Sequence, residues 1–213
     1  MTPFTRLVST VAPLPEADID TDIIFPARFL LLTTRQGLGA HAFHDRRYDS
    51  AGRERADFVL HREPWRGAHI LLAGANFGCG SSREQAPWAL ADLGLRCVIA
   101  PSFGEIFQAN CWANGILPLP LQGASHQRVL AAALAGQSVA VDLRLCKLEL
   151  ADGDIAFQVP QRQRQALLAG LDDIGLLLRD HGTQRAVFEQ AHAQRMPWLF
   201  DSTPPAAAEP FNP

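Results

Sequence analysis

The sequence predicts an α/β domain with a mixed sheet and flanking helices, and two stretches carry that reading. From His69 to Leu121 short apolar runs alternate with glycine turns and helix-like segments. That is the grammar of parallel strands joined by helical crossovers. Ser138 to Leu143 alternates with period two, and Lys147 to Ala151 and Asp154 to Val159 flank the turn Asp152-Gly153, so this part reads as an antiparallel meander. With 213 residues, 47% of them hydrophobic and 19% charged, the chain is long and apolar enough for a substantial core.

The elements follow in order. Leu7 to Val11 reads as a strand, and Asp18 to Phe25 as acidic turn residues running into an apolar patch that Pro26 stops. Thr33 to Gly52, rich in glycine, histidine and arginine, reads as a long surface excursion. His69 to Ala73 is a buried strand, followed by the turn GANFGCGSS and a helix that ends at Gly94. Arg96 to Ala100 is the next strand, Gly104 to Asn114 a helix, and Ile116 to Leu121 extended chain. His126 to Ala135 is a short helix and Ser138 to Leu143 a strand. Lys147 to Ala151 and Asp154 to Val159 form a hairpin, and two helices follow at Gln161 to Ala169 and Leu171 to Asp180. Residues 1–200 are expected to form one domain, and 201–213, DSTPPAAAEPFNP, a disordered tail.

Composition excludes several classes. A net charge of −3 argues against binding nucleic acid by bulk phosphate neutralisation. No apolar run approaches the ~20 residues of a membrane span, and Met1 to Pro15 lacks the layout of a secretory signal, so a cytoplasmic protein is expected. Lys147 is the only lysine and lies in no phosphate-binding or Schiff-base motif. Cys79, Cys97, Cys111 and Cys146 have neither zinc nor iron–sulfur spacing, so they read as reduced thiols and no metal is expected on this chain.

The strongest local signal is NFGCGSSRE, Asn76 to Glu84. Its glycines let backbone approach a ligand, the following helix start offers free N–H groups, and Arg83 adds a planar fork for a carboxylate. The same residues permit a plainer reading, because Ser81-x-x-Glu84 fits a capping box. Pro87 belongs either to the first turn of the helix or to a kink. Asp18, Asp20 and Asp22 lack the glycine and terminal glutamate of a calcium loop and read as a turn that brings one carboxylate near an arginine. His41 and His44 read as surface polar residues, and Trp88 and Trp112 as core or interface.

Asn76 to Leu90 (NFGCGSSREQAPWAL) and Cys97 to Leu119 (CVIAPSFGEIFQANCWANGILPL) resemble the small subunits of 3-isopropylmalate dehydratase. So do DIDTDIIFPARFL (Asp18 to Leu30) and GLDDIGLLL (Gly170 to Leu178). The resemblance covers the chain to about residue 200 and implies the swivelling β/β/α domain of the aconitase superfamily. It implies an isomerisation by dehydration and rehydration of a malate-type dicarboxylate in leucine biosynthesis. It also implies a [4Fe–4S] cluster held by a separate large subunit, with which alone this chain would be active. By position, Ser81 matches the superfamily's catalytic base, and Ser82 and Arg83 its substrate-binding neighbours. The loop after Pro26 matches the segment that recognises the substrate's variable group. Homoaconitate-type relatives place an arginine there, whereas this chain reads Phe29-Leu30-Leu31-Leu32, so Leu31 is expected to face an apolar group, unless these leucines simply pack in the core. Gln85 stands where the family usually has histidine, and Gly74-Ala75 replace a more polar pair. Those departures leave room for a relative acting on citraconate or dimethylmaleate. The alternative from another class is a non-catalytic small-acid-binding module, in which NFGCGSSRE holds a small acid or merely caps a helix.

Overall fold

The computed structural model describes residues 1–200; the tail expected at 201–213 lies outside the described residues. The chain divides after Asp173 into two compact units. The first is built on a seven-stranded mixed sheet of order β4-β3-β2-β1-β5-β6-β7. In chain order the strands are β1 (Arg6–Leu14), β2 (Ile70–Ala73), β3 (Cys97–Ala100), β4 (Leu117–Pro120), β5 (Ser138–Asp142), β6 (Lys147–Glu149) and β7 (Ile155–Ala156).

β1 joins two half-sheets by pairing with a different neighbour along each half. Arg6 to Thr10 run antiparallel to β5, Arg6 opposite Asp142 and Thr10 opposite Ser138. Val11 to Leu14 run parallel to β2, Val11 beside Ile70 and Leu14 beside Ala73. β2, β3 and β4 continue the parallel half, and β5, β6 and β7 the antiparallel one.

The helices of this unit are α1 (Thr21–Ile24), α2 (His44–Arg47), α3 (Gln85–Asp92), α4 (Glu105–Ala113), α5 (Gly123–Leu134) and α6 (Gln161–Ala169). Successive strand residues point to opposite faces, so β2 and β3, buried at all four positions, feed two cores. Leu71, Ala73, Val98 and Ala100 pack with Ala86, Ala89 and Leu90 of α3 and Phe107 and Cys111 of α4. Ile70, Leu72, Cys97 and Ile99 pack with Val129 and Ala133 of α5 and Leu167 of α6. A sheet covered on both faces explains why these strands are continuous apolar runs.

Three expectations change. The segment Thr33 to Gly52 is no mere surface excursion, since Leu38, Ala42, Phe43 and Arg47 are buried. The Arg47 guanidinium is satisfied inside by the carbonyls of Gly39 (2.6 Å) and Ala42 (3.1 Å), which makes its burial tolerable. The hairpin turn is not a two-residue one: Leu148 pairs with Ile155, so Asp152-Gly153 sits inside a longer connection. The second C-terminal helix begins at Asp173 rather than Leu171: α7 spans Asp173–Asp180. A further helix that the pattern did not announce, α8 (Gly182–Arg195), lies in the second unit and buries no residue. No helix of the described residues is long and apolar enough to cross a membrane.

Candidate active site

Because β1 and β2 are parallel neighbours, the segments that leave their carboxyl ends emerge side by side. Residues 18–22 follow β1 and residues 74–84 follow β2. They zip together as an irregular ribbon. Asp18 N–H donates to the Ala75 carbonyl (2.9 Å), Gly78 N–H to Ile19 (2.7 Å) and Thr21 N–H to Cys79 (2.8 Å). The loop after β3 closes the other side. Asn76 N–H donates to the Ser102 hydroxyl (2.9 Å), and Gly104 N–H to the Phe77 carbonyl (2.9 Å). The candidate site thus lies beyond the carboxyl ends of parallel strands, where open α/β sheets bind ligands.

Close packing dictates two of the glycines. A Cβ on Gly74 would lie 2.4 Å from the Glu16 carbonyl, which gives a packing reason for the small residue in place of a more polar one. Gly78 has φ +74°, and a Cβ there would lie 2.2 Å from the Phe107 ring. Asn76 also takes a left-handed conformation (φ +59°), and its amide donates to the Asp18 carboxylate at 2.7 Å.

Ser81 and Ser82 are both exposed on this loop. The capping box does not form: α3 begins at Gln85, its N-cap residue is Glu84, and no side chain caps it. Glu84 instead accepts from Trp88 Nε1 and from Asn114 Nδ2, each at 3.3 Å. Pro87 is the third residue of α3, in the first turn, where its missing N–H costs no helical bond. The serines are therefore not explained by helix capping.

Arg83 has its side chain only 13% exposed and grips Asp22 with both terminal nitrogens, Nη1 to Oδ1 and Nη2 to Oδ2 (2.8 Å). Hydrogen bonding to Arg83 holds the Asp22 carboxyl below its ordinary range, against the opposing effect of partial burial. The other two carboxylates of the acidic run go elsewhere: Asp18 accepts from Asn76, and Asp20 caps α1 through Ile23 N–H (2.8 Å). The turn that brings one carboxylate to an arginine is the Asp22–Arg83 pair. Among the described residues no three His, Cys, Asp or Glu side chains are grouped as metal ligands.

Arg83 Nη1 also reaches the Phe25 carbonyl (3.5 Å), at the entrance to the loop after Pro26. There a single 3-10 turn, Ala27–Phe29, leads into the leucines. Leu30 packs against the core, but Leu31 is 92% exposed, so core packing does not account for it. No hydrogen bond or ion pair among the described residues joins Leu31 to Ser81, Ser82 or Arg83. His41 and His44 are not plain surface residues. Both are half-buried against Phe29, with ring centroids 4.2 and 4.9 Å away, and burial pushes the His41 imidazole below its usual range. Trp88 is half-buried beneath the Arg35 guanidinium, and Trp112 packs on the α5–α6 side of the sheet. Sequence reasoning missed Thr21 and Asn76, whose roles appear only once residues 18–22 and 75–83 are paired.

Comparison with known proteins agrees with this geometry. The family described as the aconitase C-terminal domain matches residues 1–124. A 3-isopropylmalate dehydratase small subunit from Paramagnetospirillum magneticum is 46% identical over 202 residues, covering 93% of this chain and all of that protein. Its namesake from Gluconacetobacter diazotrophicus is 49% identical over 201 residues, covering 93% of this chain and 97% of that one. The crystal structure of 3-isopropylmalate dehydratase from Methanocaldococcus jannaschii superposes with a TM-score of 0.62 at 25% identity, over 85% of this chain and 98% of that one. The expected aconitase-type fold is borne out, and the chain belongs to the family of 3-isopropylmalate dehydratase small subunits.

Proposed function

We propose that this chain works as the small subunit of a hydro-lyase that interconverts 2-isopropylmalate and 3-isopropylmalate through isopropylmaleate, in leucine biosynthesis. The observation that carries the reading is the arrangement at the ribbon's end: two exposed serines next to an arginine already seated two-pronged on a carboxylate. In this reading Arg83 binds a substrate carboxylate in the manner in which it now holds Asp22. Ser82 offers a second hydroxyl to the substrate. Ser81 Oγ takes the proton α to a carboxylate. A serine alkoxide is a costly species, so the Arg83 charge and the N-terminal end of α3 are asked to favour it. Leu31 offers an apolar surface to the substrate's isopropyl group.

The cysteines of this chain do not suit an iron–sulfur cluster. Cys97 and Cys111 lie fully buried in opposite cores, with burial raising both thiols, and Cys79 and Cys146 sit half-buried on different elements. The [4Fe–4S] cluster, and with it the Lewis acid for the departing hydroxyl, is assigned to a large-subunit partner. This chain alone is then inactive.

The test is anaerobic turnover of isopropylmaleate, citraconate and dimethylmaleate by this chain mixed with the large subunit encoded in its genome. Isopropylmaleate is expected to be preferred, with turnover only when both chains are present, and lost in Ser81→Ala without loss of assembly. Preference for either smaller acid would move the protein to a related hydro-lyase. No turnover with an intact cluster would leave a small-acid-binding module.

A further inference from the structure

We infer that Thr21 is a positioning residue for Ser81, an inference that rests on the reading of Ser81 as the base. Thr21 is 2% exposed, an uncommon place for a hydroxyl, and it uses both its polar donors on the serine loop. Its N–H donates to the Cys79 carbonyl at 2.8 Å, and its Oγ1 donates to the Ser81 carbonyl at 3.0 Å. One residue therefore fastens the backbone on both sides of Gly80, the left-handed hinge (φ +93°) that presents Ser81. A flexible glycine before an exposed catalytic hydroxyl leaves its direction undetermined, and the Thr21 bond to the Ser81 carbonyl removes that freedom.

Thr21 is itself anchored. Its carbonyl accepts from Phe25 N–H (2.9 Å), and the preceding Asp20 caps the same short helix. The next residue, Asp22, holds Arg83. Consecutive residues of α1 thus grip the serine and the arginine, and the spacing between those two groups is set by a single helical turn. Reactive groups misplaced by even ~1 Å lose rate steeply, so the spacing has catalytic weight.

The test uses the complete two-subunit enzyme with Thr21→Val, Thr21→Ser and Ser81→Ala. Valine keeps the bulk and deletes the hydroxyl; serine keeps the hydroxyl and deletes the methyl. Thr21→Val is expected to lower kcat about tenfold or more, the scale of a lost positioning contact, with KM changed less than about twofold because Asp22 still holds Arg83. Thr21→Ser is expected to restore kcat to within about threefold, and in the Ser81→Ala background Thr21→Val is expected to add no further loss. A kcat in Thr21→Val like that of the parent would overturn the inference while leaving Ser81 in place. So would equal losses in both Thr21 variants that follow their melting temperatures, since packing alone predicts that pattern. Undiminished turnover in Ser81→Ala would instead remove the reading on which the inference stands.

Discussion

Arg83 and Asp22, 61 positions apart in the chain, meet as a two-pronged pair, each carboxylate oxygen facing its own guanidinium nitrogen. The pair ties the loop after β2 to the helix after β1 and displays the geometry with which an arginine recognises a carboxylate. Asp22 is 52% exposed, so the pair meets solvent on its carboxylate side while Asp22 holds the guanidinium in place for an incoming acid.

Lysine cannot reproduce that contact. A single ammonium reaches one oxygen at a time and does not fix the plane of its partner. Arg83→Lys is therefore expected to raise KM for isopropylmaleate almost as much as Arg83→Ala. Asp22→Asn, which leaves the guanidinium in place but loosens its hold, is expected to raise KM only about two- to fivefold, the worth of an exposed ion pair. Steady-state kinetics of the three variants checks the ranking, and near-parental behaviour of the lysine variant would exclude the two-pronged role.

The same pair gives an acid-side dependence with a definite sign. Hydrogen bonding to Arg83 lowers the folded Asp22 carboxyl below its ordinary value of 3.8. The unfolded chain therefore takes up that proton first as pH falls. The pair's contribution is complete above about pH 4 and disappears as pH drops through the lowered folded value. Parent and Asp22→Asn should differ in melting temperature at neutral pH and converge in acid. Solvent screening keeps the difference to a few degrees at most. A gap that widens in acid would contradict the pairing.

The parallel half of the sheet and the chemistry of NFGCGSSRE were readable because both are local. β2, β3 and β4 are continuous apolar runs with glycine punctuation, and the serines, the glycines and Arg83 are consecutive. What holds the site was not readable, because each bond spans about sixty residues: Thr21 to Ser81, Asp22 to Arg83, Asp18 to Asn76. The same holds for β1, whose two halves pair with strands about sixty and about one hundred and thirty residues further along the chain. A buried Arg47 inside an otherwise polar stretch was unreadable for a related reason, since its partners are main-chain carbonyls that any sequence would supply. The capping box failed as a reading because its residues were present in the right spacing while the helix began one residue beyond its glutamate.

The four thiols should differ sharply in reactivity. Burial raises the Cys97 and Cys111 thiols well above their usual range, and no thiolate is available at either. Cys79 is raised as well, chiefly by burial and further by Asp20 and Asp18. With iodoacetamide at pH 8 on the folded chain, mass spectrometry should find Cys97 and Cys111 unmodified until denaturant is added. Cys79 should react more slowly than a thiol in an unfolded peptide. Prompt native-state labelling of Cys97 would contradict the packing of β3 against α5.

At Leu31 an effect on substrate selection can be told apart from an effect on stability. A leucine 92% exposed contributes almost nothing to the folded chain, so Leu31→Ala should leave the melting temperature within about 1 °C. If its apolar surface receives the substrate's isopropyl group, as proposed above, losing it should raise KM for isopropylmaleate by up to about tenfold, the order of one apolar side chain transferred from water. Citraconate carries less apolar bulk, so its KM should move less. Leu31→Arg places a guanidinium where an apolar group is expected and should depress use of isopropylmaleate further while favouring an acid with a third carboxylate. Measuring KM for both acids in the two variants, alongside thermal melts, decides the matter: equal shifts for both acids would mean that Leu31 does not touch the variable group.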